Sequence, residues 1–243
     1  MRDYKVEFEK RVEFIRNLLQ KSGCSGIVYG NSGGKDSALV GILCKAACDN
    51  TVGILMPCSS QQNYGSDIED GKAVAERYSI ETRLVDLAPV REAEIKALEA
   101  VGTLTPGAIA NIAPRLRMTT LYAVAGSEGR LVAGTGNRSE AYVGYFTKWG
   151  DGAHDFNPIF DLTVTEIYEF LRAINAPACV IDKAPSAALF DGQTDEGEMG
   201  IKYSELDEYI MTGRGDPEKI AKIERLHHNS QHKRDEIKRF VRR

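Results

Sequence analysis

The sequence predicts an α/β fold, a doubly wound parallel sheet flanked by helices. The first observation is a set of short apolar or β-branched runs at residues 26–30, 52–56, 80–85 and 130–134, which indicate strands. The second is the apolar residues at helical spacing in the segments between these runs. Strands as apolar as these are usually covered on both faces, and right-handed crossovers then place helices on both sides of a parallel sheet.

Helices are predicted between the strands and at the start of the chain. Their apolar positions are, in chain order, Ala38, Leu39, Ile42 and Leu43, then Val74, Ala75 and Tyr78, and then Ile109, Ile112, Leu116, Thr120 and Val124. The opening residues interleave charged with apolar side chains, which indicates an amphipathic helix instead of a signal peptide. Residues 147–158 and 184–200 have little periodicity, so we expect long loops there, and such loops in compact domains are often functional.

The composition is that of an ordinary globular protein. The 243 residues are 42% hydrophobic and 27% charged, which predicts a single domain over residues 1–243. A net charge of −4 argues against nucleic-acid binding by bulk electrostatics, although the end of the chain is locally basic. No apolar run is long enough to cross a membrane. Five cysteines without a CxxC pair indicate neither a disulfide framework nor a zinc site, so we expect a cytoplasmic protein.

A glycine-rich stretch directly after the first predicted strand suggests an anion site. Ser32, Gly33 and Gly34 precede a helix that begins near Asp36, so their amide hydrogens can converge at a helix N-terminus. The pattern is neither a Walker A motif, since Lys35 is followed by aspartate, nor a GxGxxG fingerprint. A carboxylate beside bound phosphates would repel them unless a cation lay between, so Asp36 suggests Mg²⁺. The alternative is a tight turn at the glycines and a helix cap at Asp36.

A second carboxylate, Glu140, follows the fourth predicted strand. Because the carboxyl ends of parallel strands meet at one edge of the sheet, Glu140 could share a metal ion with Asp36, and Thr135 could face the nucleotide. Alternatively, Glu140 is an exposed residue in the first turn of a helix.

The stretch SGGKDS, residues 32–37, resembles the signature of the N-type ATP pyrophosphatases, which split ATP between its α and β phosphates. Four further blocks, residues 111–122, 134–159, 183–200 and 232–234, resemble the corresponding blocks of the NAD synthetase family in the same order. The resemblance covers nearly the whole chain and implies a Rossmann-like sheet of the adenine nucleotide alpha hydrolase type. It also implies one synthetase domain without the N-terminal glutaminase domain that some members carry.

The resemblance also assigns residues to each ligand by their position. Those for ATP are Gly30, Asn31, Ser32, Gly33, Gly34, Lys35, Asp36, Ser37, Thr135 and Ser186, and those for magnesium are Asp36 and Glu140. Those for the dinucleotide substrate, deamido-NAD, are Arg115, Lys148, Asp155, His232 and Lys233. The residues expected to act in catalysis are Asp36, Glu140, Lys148 and Asp155.

Three of the residues assigned to the dinucleotide carry further expectations. Lys148 could stabilise the substrate carboxylate, and Asp155 could orient or deprotonate ammonium. Asp155 could instead be a loop-turn residue, because aspartate is a common turn former. His232 could be a solvated histidine on a basic helix.

Val164 departs from the family pattern. Many members have a lysine at this position that contacts an ATP phosphate, and valine cannot donate a hydrogen bond. Either another cation such as Lys183 or Lys35 supplies the missing charge, or ATP binds more weakly.

The activity that the resemblance implies is the ATP-dependent amidation of deamido-NAD to NAD, the last step of NAD biosynthesis. The substrate carboxylate would attack the α phosphorus, pyrophosphate would leave, and ammonia would displace AMP from the mixed anhydride. Without a glutaminase domain, free ammonia is the expected nitrogen donor unless a separate protein delivers it. We expect the loops at 147–158 and 184–200 to order over the bound ligands as lids that protect the adenylate from water.

The family is homodimeric, with substrate sites at the subunit interface, so we expect a dimer. The predicted helical segment 105–126 carries Arg115 and Arg117 on an otherwise small, apolar surface, which is suited to packing against a second copy.

Two other functions stay open at this point. One is a related adenylating amidotransferase, such as the synthetase part of a GMP-forming enzyme, but the residues around Lys148 and Asp155 argue against it. The other is a sensor that binds ATP without turnover. The presence of both Asp36 and Glu140 argues for catalysis instead.

Overall fold

A central parallel sheet organises the chain. The computed structural model describes residues 2–58, 60–183, 185–186 and 194–240. Its strands are β1 Gly26–Gly30, β2 Thr51–Leu55, β3 Glu81–Leu84 and β4 Arg130–Ala133, and they lie in the order β3-β2-β1-β4. All neighbouring strands pair in parallel, and Val28 of β1 lies opposite Val52 on one side and Val132 on the other. The predicted strands and the parallel sheet are confirmed, with boundaries within two residues.

Helices connect the strands and continue beyond the sheet. They are α1 Tyr4–Ser22, α2 Lys35–Ala47, α3 Gln61–Tyr64, α4 Ser66–Arg77, α5 Ala88–Leu98, α6 Pro106–Ala110, α7 Ile112–Glu128, α8 Arg138–Val143, α9 Val164–Ala173, α10 Ala178–Ile181, α11 Asp195–Met199, α12 Tyr203–Thr212, α13 Pro217–Asn229 and α14 Gln231–Arg234. A short 3-10 turn, Glu99–Val101, follows α5. Within the described ranges, none of these helices is both long enough and apolar enough to span a bilayer.

The sheet is covered on both faces, because alternate residues of β1 point to opposite sides. Ile27 and Tyr29 are fully buried in one core cluster with residues of α1, α2, α4 and α9. Val28 is fully buried in a second cluster with β2, β4 and α7. A third cluster, which includes Val164 and Leu206, joins α8 and α9 to the helices that follow. The doubly wound arrangement is therefore confirmed.

The predicted helix through Ile109 and Val124 was wrong in one respect, since the structure has two helices, α6 and α7, divided at Asn111. Pro114 explains the division. Proline has no amide hydrogen, so it cannot donate to the carbonyl of Ala110 and continue one helical ladder.

The two segments without periodicity behave differently. Residues 147–158 form successive turns, and an isolated bridge joins Phe156 to Ala133 at the end of β4. In the second segment, residues 184 and 187–193 lie outside the described residues. The expectation of an irregular loop was wrong for its end, because residues 195–199 form α11, with the Thr194 side chain accepting from the Gly197 amide. A helix of one turn is too short to show a period in sequence.

Candidate active site

A cavity of about 470 Å³ lies beyond the carboxyl ends of β1, β2 and β4. The chain moves from β1 to β2 on one side and later crosses to β4 on the other, so the cavity occupies the switch point where ligands bind in open α/β sheets. One wall is apolar and includes Ile54, Met56, Met118, Leu121 and Val132. The opposite wall is polar and contains the glycine-rich loop. Apolar and charged groups in one cleft are typical of nucleotide sites.

Gly33 gives the glycine-rich loop its shape. Its φ of +68° lies in the left-handed region, and an added Cβ would come within 2.1 Å of the Asp67 carbonyl oxygen. Only glycine fits both conditions. The tight turn is therefore real, and it presses the loop against the first turn of α4.

The loop amides lie at the N-terminus of α2, and each donates to a side-chain oxygen. The Ser32 amide donates to Ser37 Oγ at 3.2 Å, and the Gly34 amide donates to Ser32 Oγ at 3.3 Å. The Gly33 amide donates to Asn31 Oδ1 at 3.3 Å. Asn31, Ser32 and Gly34 line the cavity. The structure thus places donors and hydroxyl groups where the sequence predicts an anion site.

Asp36 and Glu140 line the same part of the cavity, and Asn137 connects them. Asn137 Nδ2 donates to Asp36 Oδ1 at 3.2 Å, while the Asn137 amide donates to Glu140 Oε2 at 3.0 Å. Asp36 does not cap α2, whose N-cap is Gly34 and has no side-chain cap bond. Glu140 does lie in the first turn of α8, where it completes a capping box with Asn137. Glu140 is therefore a first-turn residue as the alternative expected, but it is partly buried and not exposed, and its sharing of a metal ion with Asp36 stays a prediction.

The buried side chain of Lys35 lies beside this pair, and each of the charged groups affects the pKa of a neighbour. Lys35 is 6% exposed, and its Nζ lies 2.7 Å from Asp36 Oδ2. Burial raises the pKa of Glu140 well above its ordinary value, and the Asp36 carboxylate raises it further. Burial alone would lower the pKa of Lys35, but Asp36 and Glu140 outweigh it and raise this pKa. A cation between Asp36 and Glu140 would oppose these effects and favour the ionised form of Glu140.

The site suits magnesium better than a metal held by protein groups alone. Among the described residues, no group of three or more His, Cys, Asp or Glu side chains could hold a metal ion. Magnesium commonly takes one or two carboxylates and completes its shell with phosphate oxygens and water. Asp36 and Glu140 would supply such a pair.

Val164 lies in the hydrophobic core, whereas Lys183 lies at the cavity. Val164 is 3% exposed, lies in the third core cluster and does not line the cavity. Lys183 lines the cavity, and its Nζ lies 2.8 Å from Asp67 Oδ1 and 2.6 Å from Asp70 Oδ2. The same Nζ is 3.4 Å from the Gly33 carbonyl oxygen. Lys183 therefore reaches the glycine-rich loop, and its substitution for the lysine missing at position 164 stays a prediction.

Of the remaining predicted residues, Gly30, Thr135, Ser186 and Lys233 line the cavity. Gly33 and Ser37 do not line it, and neither do Arg115, Lys148 and His232. The last three are nevertheless linked to one another by hydrogen bonds. Arg115 Nη2 donates to the Lys148 carbonyl at 3.3 Å, and Lys148 Nζ donates to the His232 carbonyl.

Asp155 lies apart from the cavity and is exposed. Its Oδ2 accepts from the Val132 amide at 2.8 Å, and its Oδ1 accepts from the Tyr122 hydroxyl at 3.2 Å. These bonds attach the 147–158 loop to β4 and to the outer face of α7.

Sequence reasoning missed Asn137, which bonds to both acids, and Asp151, which lines the cavity, and it misjudged the orientation of Arg117. Arg117 faces the cavity with Pro114, Met118 and Leu121, and not the surface expected to meet a second copy. The spacing of these four residues could have revealed this, because it follows one face of a helix. Asn137 stands three residues before Glu140, a spacing typical of a capping box that could have indicated its role, whereas Asp151 left no comparable pattern in the sequence.

Comparison with known proteins identifies the family of the chain. A model of the NAD synthase family matches residues 7–238. An NH(3)-dependent NAD(+) synthetase from Carboxydothermus hydrogenoformans is 44% identical over 235 residues, which cover 96% of each chain. One from Archaeoglobus fulgidus is 42% identical over 241 residues, covering 95% of this chain and 96% of its own.

Two solved structures share the fold over nearly their full length. The NMN synthetase from Francisella tularensis superposes with a TM-score of 0.92 at 33% identity, covering 98% of this chain and 99% of its own. The NH3-dependent NAD synthetase from Campylobacter jejuni has a TM-score of 0.81 at 31% identity, covering 99% of this chain and 100% of its own. Because the family model matches most of the chain and these relatives exceed 30% identity over nearly its full length, the chain belongs to the NAD synthase family.

Proposed function

We propose that this ligase converts deamido-NAD to NAD with ammonia and ATP, through an adenylated carboxylate. The observation that carries the proposal is the placement of the glycine-rich loop and the Asp36–Glu140 pair on one wall of a single cavity. A carboxylate is a poor acyl donor, because its charge repels nucleophiles and it has no good leaving group. Transfer of AMP to the carboxylate removes the charge from the reacting oxygen and makes AMP the leaving group.

The protein's own groups divide the work. The amides and hydroxyls at the start of α2 would exchange their present side-chain partners for phosphate oxygens. Asp36 and Glu140 would hold magnesium, which neutralises charge as it develops on the departing pyrophosphate. Lys183 would supply the cation that Val164 cannot, since its Nζ already lies beside the Gly33 carbonyl.

The second step needs an acceptor for a proton from ammonia or ammonium. We assign this role to Asp151 in preference to Asp155. Asp151 lines the cavity, and desolvation raises its pKa, partly offset by the Thr147 amide that donates to it at 2.9 Å. A carboxylate of raised pKa is better matched to a proton transfer near neutral pH. Asp155 would instead hold the loop in place.

A second candidate differs only in the substrate. The solved structure titled NMN synthetase superposes on this chain with a TM-score of 0.92, against 0.81 for the Campylobacter jejuni NAD synthetase. The corresponding substrate would be the mononucleotide, nicotinate mononucleotide, which carries the same carboxylate. The chemistry at the loop and the acid pair would be unchanged.

Product analysis tests the proposal. The protein is incubated with ATP, Mg²⁺, ammonium and either deamido-NAD or nicotinate mononucleotide, and the nucleotides are separated. We expect NAD, AMP and pyrophosphate, with deamido-NAD giving the higher kcat/KM. Faster amidation of the mononucleotide would favour the second candidate. Formation of ADP would exclude the adenylate route, and binding of ATP without turnover would favour a sensor.

A further inference from the structure

The cations that line the cavity differ in their partners. Among the described lining residues they are Lys35, Arg117, Lys183 and Lys233. Lys35 pairs with Asp36, and Lys183 pairs with Asp67 and Asp70. Arg117 and Lys233 have no such carboxylate partner within the part of the chain that the structure describes. Of the four cations, these two are therefore the ones that no salt bridge to a described carboxylate holds.

Arg117 is held in a fixed position by neutral oxygens. Its Nε donates to the Met56 carbonyl at 3.2 Å, and its Nη2 donates to Asn63 Oδ1 at 3.2 Å. Asn63 is itself fixed, because its Nδ2 donates to Asp67 Oδ2 at 2.9 Å. Arg117 is partly buried, and burial lowers the pKa of its guanidinium. A desolvated guanidinium is costly unless an anion meets it, so its position in a ligand cavity points to an anionic ligand group.

Lys233 and Asp151 lie at the same end of the cavity. Lys233 Nζ donates to the carbonyls of Gly144 and Phe146, each at 2.6 Å. Asp151 is close enough to both cations that Lys233 and Arg117 each lower its pKa against the effect of burial. Arg117, Lys233 and Asp151 thus form a second group of charged side chains in the cavity lining, in addition to Lys35, Asp36 and Glu140.

We propose that Arg117 recognises the carboxylate of the acid substrate and orients it for attack on the α phosphorus. The inference rests on the proposed function. The planar guanidinium presents donors that match a carboxylate, and the phosphate end of the cavity has its own cation in Lys183. Arg117 would also favour product release, because the amide product has lost the negative charge that the guanidinium binds.

Binding of acid and amide pairs tests this role without turnover. Calorimetry would measure the affinity of wild type, Arg117→Gln and Arg117→Lys for deamido-NAD and NAD, and for nicotinate mononucleotide and its amide. A charge-assisted hydrogen bond contributes enough that Arg117→Gln should weaken binding of the acids about 10- to 100-fold, with the amides almost unchanged. Arg117→Lys keeps the positive charge but loses the two parallel donors of the guanidinium. Its affinity for the acids should therefore lie between those of wild type and Arg117→Gln.

The control is Arg77→Gln, which changes an exposed arginine on α4 that donates to the Asn175 carbonyl, far from the cavity lining. It should leave all affinities unchanged. Equal loss for acid and amide, or a selective loss for ATP, would overturn the inference and place Arg117 on a phosphate. Unchanged affinities would also overturn it. If Arg117→Gln does not fold, as judged by circular dichroism, Arg117→Lys decides the question.

Failure here is distinguishable from failure of the proposed function. A wild-type protein that forms no NAD but prefers acids to amides, with the preference lost in Arg117→Gln, would support the inference alone. A protein that forms NAD while Arg117→Gln keeps the preference would support only the proposed function.

Discussion

Asn137 shows how single residues set the geometry of the acid pair. It is completely buried, caps α8, and bonds to both carboxylates through different groups. The backbone amide fixes Glu140 and the side-chain amide fixes Asp36. The two acids therefore remain close although each would be repelled by the other.

Replacing one acid by its amide separates catalysis from folding. In Glu140→Gln the new side chain can still accept from the Asn137 amide, so the α8 cap and the melting temperature should be kept. The metal loses a charged ligand, so kcat should fall by about 100-fold or more. Steady-state kinetics and thermal melts check both expectations.

The matched control is Glu166→Gln. Glu166 completes the same kind of capping box at the start of α9, but it pairs with Arg2 and does not line the cavity. This variant should lose some stability with kcat unchanged. Equal activity of Glu140→Gln and wild type would contradict the metal-binding role of Glu140.

His154 makes stability depend on pH. Its ring packs against Gly134 at the cavity edge, and burial lowers its pKa below the ordinary 6.5. A lowered pKa means that His154 binds a proton more readily in the unfolded chain than in the folded protein. The contribution of neutral His154 to the free energy of unfolding is therefore present above pH 6.5 and is lost as the pH falls. The melting temperature should drop between pH 7.5 and 5.5, and it should drop less in His154→Gln.

An exposed histidine on α13, His228, supplies the control for this prediction. His228→Gln should reproduce the wild-type profile of melting temperature against pH. If His154→Gln also has the wild-type profile, His154 does not contribute to the pH dependence of stability.

At the level of elements, the glycine-rich loop depends on Gly33. Gly33→Ala adds a positive-φ penalty of about 1–3 kcal/mol and a clash with the Asp67 carbonyl, so unfolding free energy and ATP affinity should both fall. Gly23→Ala separates the two causes, since Gly23 has a φ of +71° but nothing within 4 Å of an added Cβ. Denaturant melts should show a smaller loss for Gly23→Ala. Equal losses would mean that the clash relaxes freely.

Elements were predictable to different degrees. The strands and α2 carry strong patterns, because buried runs and helical periods are local properties. The division between α6 and α7 depends on Pro114, which a period count overlooks. The α7 helix is lined by apolar residues on its inner side and exposes Arg115 on its outer side. Sequence spacing placed Arg115 and Arg117 together, but a helix turns by more than half a revolution between them.

At the level of the whole molecule, topology explains why part of the site was predictable. Parallel strands bring the ends of β1 and β4 together, so the meeting of Asp36 and Glu140 follows from strand order. The roles of Asp151 and Asp155 do not follow, because both lie in one irregular loop. Their different environments depend on how that loop contacts α7 and β4, which is a tertiary property.

We predict that two copies of the chain associate through the outer face of α7. Ala123 is exposed on this face, close to Tyr122 and Asp155. Light scattering should give the mass of a dimer. Ala123→Glu should give a monomer with lower activity, because two glutamates would meet at a symmetric interface. A monomeric wild type at working concentrations would contradict this.

The central claim is that the substrate carboxylate attacks the α phosphorus of ATP. Deamido-NAD labelled with ¹⁸O in its carboxylate tests it most directly, with ATP, Mg²⁺ and ammonium present. Mass spectrometry of the products should find one ¹⁸O in AMP, because the carboxylate oxygen that attacks phosphorus stays with AMP when ammonia displaces it. Unlabelled AMP, or ¹⁸O in inorganic phosphate together with ADP, would contradict the account.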